Sequence, residues 1–221
     1  MSATKSQRIG IWVIAIFMAV GTVGSFLAII LSNKNTQTDQ ARINELTSQY
    51  QKEYEEYQTK VAAQTAELSA KYFDTFNQYA SRPAAFDAAS VTELKTSDIV
   101  VGDGDTLTSD STFTAYYIGW NPTGKVFDSS IDGDSLKAPF TAAPGGVIEG
   151  WTQGVNGMKV NGVRELTIPS DLAYGEKGSG EDIPANTPLK FIMMVIPTPE
   201  KITEPTMPPE LVNYYQTGRL Q

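Results

Sequence analysis

The residues here whose types could do chemistry are aromatic and acidic. Trp151 and Tyr174 lie in the stretch Val147–Gly175, and Phe127 and Asp128 lie upstream in Gly124-Lys125-Val126-Phe127-Asp128-Ser129-Ser130. A carboxylate beside a large aromatic should be solvated unless it has work to do, so Asp128 is the most diagnostic of them. For each aromatic, plain core packing is the alternative. For Trp151, Phe127 and Phe191 both readings hold, because a pocket wall is also core.

Composition removes the usual reactive groups. The 221 residues contain no Cys and no His. Disulfides, thiolate nucleophiles and Cys metal sites are excluded. Ser-His and Cys-His triads and the commonest metal ligand go with them. Any chemistry must run without imidazole. Net charge is −8; residues 92–200 hold 7 Lys+Arg and 15 Asp+Glu, and the remainder holds 10 of each. The acidic surplus belongs to that region and argues against a nucleic-acid partner, which would want a basic face.

The elements that must position these residues are short. Val147, Trp151, Val155 and Met158 recur every three or four residues, giving a small helix with one apolar face. Gly150, Gly154 and Gly157 each weaken it by roughly 1 kcal/mol relative to Ala. Such a helix must be held against a surface, with glycines where backbones approach closely. Asn161-Gly162 is a turn signal. Val163–Ile168 alternates as a half-buried strand, ended by Pro169-Ser170-Asp171. Phe113, Ala115 and Tyr117 share the more apolar face of another strand. Leu189–Pro197 is a very apolar last strand. Residues 131–146 and 176–188 are Gly/Pro-rich loops. Several strands and one short helix predict an α+β domain, an antiparallel sheet wrapped on that helix.

In order, the chain carries Tyr117-Ile118-Gly119, Gly124-Lys125-Val126-Phe127-Asp128-Ser129-Ser130, Val147-Ile148-Glu149-Gly150-Trp151, Ala173-Tyr174-Gly175, Ile183-Pro184 and Leu189-Lys190-Phe191. This series resembles the FK506-binding-protein family of peptidyl-prolyl isomerases over about residues 91–200. Each piece is weak; six in one order at family-like spacing are strong. The resemblance implies a half-open antiparallel sheet around a short helix. It implies Trp151 as pocket floor, and Tyr117, Phe127, Val147, Ile148, Tyr174, Ile183 and Phe191 as walls. It gives Ile148 a backbone N–H for the substrate carbonyl, Tyr174 a further hydrogen bond, and Asp128 the orientation of polar groups beside the pocket. Asp128, Tyr174 and Ile148 are thus the expected catalytic set. Proline-containing polypeptides are the implied partners, with macrolides such as FK506 as possible ligands. No cofactor or metal is implied.

The sequence departs from the pattern at the rim. An Arg expected after Phe-Asp-Ser-Ser is missing, and Ile131-Asp132-Gly133-Asp134 stands there, leaving Asp128 without one expected partner. The aromatic usual near 138 is Ala138, with Phe140 two residues on. Ser179 stands for a loop His. These changes bear on substrate preference and macrolide affinity more than on activity.

The rest of the chain frames that domain. Ile9–Leu31 is 23 residues without a charge. At 1.5 Å per residue it spans roughly 35 Å, enough for a hydrocarbon core. Lys5 and Arg8 precede it and favour an N-terminus inside. An uncleaved anchor is expected over a signal peptide, whose apolar region is shorter and whose cleavage site is absent. The expected organisation is a cytoplasmic 1–8, a transmembrane 9–31, a helical spacer and linker 32–90, the isomerase domain 91–200 outside the cytoplasm, and a Pro-rich tail 201–221. Ile43, Leu46, Tyr50, Tyr54, Tyr57, Val61, Gln64, Leu68 and Tyr72 step by about 3.6 residues, a long amphipathic helix. It reads equally as a solvated spacer or as a self-associating or partner-binding helix, stopped at Arg82-Pro83. Glu210–Tyr215 suits a helical turn, which could dock back on that helix. Three functions follow: a membrane-anchored isomerase for folding proteins, a non-catalytic proline-segment-binding chaperone or adaptor, or a structural surface protein with the domain as passenger.

Overall fold

The computed structural model describes residues 37–218. The expected anchor, residues 9–31, lies outside them. Among the described residues no helix is long and apolar enough to cross a membrane. The chain divides into two compact units: Gln58–Ile202, and the flanking residues up to Tyr57 with those from Thr203.

The larger unit is built on an antiparallel sheet of β1 (Lys95–Val100), β2 (Phe113–Trp120), β3 (Val126–Ser129), β6 (Phe140–Ala142), β7 (Val163–Ile168) and β8 (Leu189–Ile196). Its order is β1-β7-β8-β2-β3, with β6 also on β2. Two short strands, β4 (Ile131–Asp132) and β5 (Ser135–Leu136), make a separate hairpin. Strand β8 is central and buried on both faces, so it reads as an unbroken apolar run rather than an alternating one. Leu189, Phe191, Met193 and Val195 join one core; Ile192, Met194 and Ile196 join the other.

Strand β2 serves both cores by alternation. Phe113, Ala115 and Tyr117 face the core that contains Trp151, and Tyr116, Ile118 and Trp120 face the opposite one. The first face receives α2 (Glu149–Gly154), the short helix expected from sequence. Two of the three expected glycines mark close approaches: a Cβ on Gly150 would lie 2.3 Å from Ile168 Cγ2, and one on Gly154 would lie 2.8 Å from Leu166 Cδ2, whereas Gly157 lies beyond the helix at φ +74° with nothing within 4 Å. Both contacts are on β7, so a side chain at either position would push the helix off the sheet.

The opposite face is covered by the second half of α1 (Gln37–Asn77), where Leu68, Tyr72, Phe73, Phe76 and then Tyr79 pack on Tyr116, Ile118 and Ile192. Sequence periodicity shows a long helix but not what its stripe meets. From Gln58 onward its residues belong to the compact unit of the sheet and pack in its second core. The helix closes at Asn77, five residues before Arg82. Tightened turns follow, with Tyr79 N–H donating to Phe76 O and Arg82 N–H to Tyr79 O, both at 3.0 Å.

The smaller unit pairs the first half of α1 with α3 (Pro209–Thr217). Leu211 is buried with Ile43 and Leu46, and Tyr50, Met207, Tyr214 and Tyr215 pack around them. The C-terminal turn thus docks on the long helix.

Candidate functional site

A cavity of about 240 Å³ opens on the α2 face of the sheet. Trp151, buried at the start of α2, belongs to its lining, with Tyr117 from β2, Phe127 and Asp128 from β3, and Phe191 from β8. Phe140 from β6, Gly146, Val147, Ile148 and Tyr174 complete it. The rings meet edge to face. Trp151 lies 5.1 Å from Tyr117 at 75°, 5.3 Å from Phe191 at 87° and 5.9 Å from Phe140 at 81°. Phe127 meets Phe191 at 5.6 Å and 82°. These geometries suit the ring quadrupoles and hold a hollow open without filling it. Trp151 Nε1 is buried and has no hydrogen-bond partner among the described residues.

The polar side of the cavity is organised by Asp128. The Tyr117 hydroxyl donates to Asp128 Oδ2. Ser129 N–H donates to Asp128 Oδ1 at 2.8 Å. Lys137 Nζ stands 3.9 Å from the same oxygen and donates to Ser129 O at 2.7 Å. A cation is therefore present beside Asp128 despite the missing Arg. It arrives from the loop after β5, at a position that the motif spacing does not indicate. Burial chiefly, then the Asp128 hydrogen bond and charge and the nearby Tyr174, push the Tyr117 hydroxyl well above its usual range. It remains a donor throughout neutral pH.

The nearby backbone groups come from the α2 entrance and the loop after β7. Ile148 is the residue before α2; its carbonyl accepts from Trp151 N–H at 2.9 Å and Thr152 N–H at 3.3 Å. Tyr174 is 39% exposed, at the start of a 3₁₀ turn, Gly175–Lys177.

Eight of the nine residues singled out from sequence line one cavity. Ile183 does not; it is buried among the core residues of the same face, with Leu189 and Phe191. Phe140 and Gly146 line the cavity without having been chosen. Phe140 sits in a stretch whose Pro and Gly content reads as loop, and it is placed by the pairing of Ala115 with Phe140 across β2 and β6. Its aromatic type, two residues beyond the expected position, was the available signal. Among the described residues no group of three or more acidic side chains comes together to hold a metal.

An antiparallel sheet against a short Trp-bearing helix, with an aromatic cavity, is the arrangement the sequence motifs implied; the Tyr117–Asp128 hydrogen bond at the cavity's edge was not among them. The sequence profile of FKBP-type peptidyl-prolyl cis-trans isomerases matches residues 104–196. The chain is 42% identical over 106 residues to the probable FK506-binding protein of Corynebacterium glutamicum, a match covering 47% of this chain and 86% of that one. The chain belongs to the FKBP-type isomerase family. It is also 43% identical over 94 residues to FK506-binding protein 4 of Rhizopus delemar, covering 42% of this chain but 24% of that longer protein. Among solved structures, AtFKBP13 is similar at 34% identity and a TM-score of 0.43, over 48% of this chain and 93% of that one.

Proposed function

We propose that this protein accelerates cis–trans rotation about X-Pro bonds in folding polypeptides outside the cytoplasm. The observation that carries the reading is the aromatic cavity over Trp151, with the Tyr117–Asp128 pair at its polar edge. The reaction breaks no bond. Its barrier, about 20 kcal/mol, comes from amide resonance that the twisted transition state loses along with much of its dipole. A dry apolar site disfavours the planar, more polar amide more than the twisted one. That is differential binding rather than proton transfer, and it needs neither His nor Cys. In this reading the proline ring sits on Trp151 between Tyr117, Phe127, Phe140 and Phe191. Ile148 N–H holds the substrate carbonyl, Tyr174 donates at the rim, and Asp128 orients the Tyr117 hydroxyl. Macrolides of the FK506 type, named in the relatives, would compete for the same cavity.

The extracytoplasmic setting rests on Ile9–Leu31, with Lys5 and Arg8 before it. Protease added to intact cells or spheroplasts should then degrade the domain; protection until lysis would reverse the orientation. Activity is tested by protease-coupled isomerisation with the full chain, across several residues preceding proline. Saturable acceleration is expected. Binding of proline peptides without acceleration would leave a chaperone or adaptor module instead.

A further inference from the structure

Asn121 lies in the turn between β2 and β3 and uses both ends of its amide. It is 7% exposed. Its Oδ1 accepts from Thr123 N–H at 3.1 Å, Thr123 Oγ1 at 2.7 Å and Lys125 N–H at 3.3 Å, which closes the turn. Its Nδ2 donates to the backbone carbonyl of Asp182 at 3.0 Å. The Asp182 carboxylate pairs with Lys125 Nζ, from the same turn. One turn therefore grips the 176–188 loop twice at one residue.

That loop begins beside the cavity and returns to the core beneath it. Gly178 N–H donates to Tyr174 O at 3.2 Å, and Asn186 N–H to Gly175 O at 2.8 Å. Ser179 N–H donates to Ile183 O at 2.7 Å. Asp182 immediately precedes Ile183, whose side chain is buried in the core shared with Trp151 and Phe191. Glu181 and Pro184–Asn186 are exposed, so little packing fixes the loop from outside. The gripping turn is itself backed by the chain that enters the domain: Phe86 N–H donates to Pro122 O at 3.0 Å, and Trp120 Nε1 to Ala84 O at 3.1 Å.

We infer that Asn121 is a positioning residue for substrate recognition: by holding the Asp182 carbonyl it fixes the 176–188 loop and, through it, the Tyr174 side of the cavity. The role needs a side chain that accepts and donates at once. Leucine offers neither, and a carboxylate offers acceptors alone. The activity readout rests on the isomerase reading; the loop readout does not.

Asn121→Asp in the full chain is the test. It keeps the acceptors that close the turn and removes the donor to Asp182. Amide exchange at Ser179 and Asn186 should speed up roughly tenfold, because the loop's local opening becomes easier. KM for X-Pro peptides should rise about three- to tenfold with kcat within about twofold, as expected when binding geometry rather than the chemical step is lost. Unchanged exchange and unchanged KM in the folded variant would overturn the inference, as would a parallel loss of kcat and melting temperature. If Asn121→Asp does not fold, the ion pair decides. Lys125→Asp should loosen the loop and Asp182→Lys added to it should restore exchange; a double variant as loose as the single would overturn the inference. Should the wild-type chain show no isomerase activity, that reading fails, and amide exchange alone still decides whether Asn121 holds the loop.

Discussion

The two faces of the sheet are made from the same materials and end differently. Both draw on β2 and β8, and both are rich in aromatics. On the back face, α1 lays the rings of Phe76 and Tyr72 on Tyr116, with centroids 6.0 and 6.1 Å away, and Phe73 packs on the same cluster. On the front face, α2 is a six-residue helix drawn close by two glycines, and it leaves the rings of Tyr117, Phe127, Phe140 and Phe191 around a hollow. The buried phenols differ in the same way. Among the described residues the Tyr116 hydroxyl has no hydrogen-bond partner, whereas that of Tyr117, its neighbour in sequence, donates to Asp128. Aromatic content does not mark a site; the length of the covering helix and the placing of one carboxylate do.

The comparison is broken first by emptying the back face. Phe76 is fully buried, and Phe76→Ala should cost about 3–5 kcal/mol in denaturant unfolding. Turnover per folded molecule should be unchanged; a tenfold loss in folded protein would mean that the faces are coupled. The next effect is alkaline. Burial chiefly, and then nearby Tyr72, raise the Tyr116 hydroxyl from 10.0 to about 12. The folded state holds this proton more tightly than the unfolded state. Its stabilisation is therefore complete below pH 10 and is lost as pH rises towards 12, by roughly 3 kcal/mol. Tyr117 acts in the same direction. Tyr116→Phe should reduce the alkaline loss measured by unfolding at each pH, and an unaltered loss would contradict this assignment. The smallest effect sharpens the front face. Asp128→Val removes the carboxylate at similar size, and should lower kcat/KM about tenfold, or roughly 1.4 kcal/mol in the barrier, with little change in melting temperature. Wild-type turnover in a folded variant would leave the Tyr117–Asp128 pair without a catalytic role.

Much of the front face was legible in the chain. Trp151 on a Gly-rich helix, the alternation of β2 and the Phe127-Asp128 pair are local signals, and the fold brings them to one cavity. Lys137 and Phe140 were less legible, because they sit in Pro/Gly-rich segments without periodicity; Phe140 is placed by its pairing with Ala115 across the sheet, and Lys137 by its backbone N–H, which donates to Ser130 O at 2.8 Å. Ile183 carries its motif but falls in the core, since a two-residue signal does not say which way the loop turns. The cover of the back face was hidden for another reason. The stripe of α1 shows that a face must be buried, and tertiary packing alone decides against what.

The central claim is that the front face works by dryness and shape, not by proton transfer. It is tested most directly by the pH dependence of kcat/KM for the wild-type chain on an X-Pro peptide. With no His in the chain, and Tyr117 held protonated by burial and its bond to Asp128, the rate should stay nearly flat between about pH 6 and 9. A bell-shaped profile in that range would mean that a titrating acid and base carry the reaction, and would contradict this account.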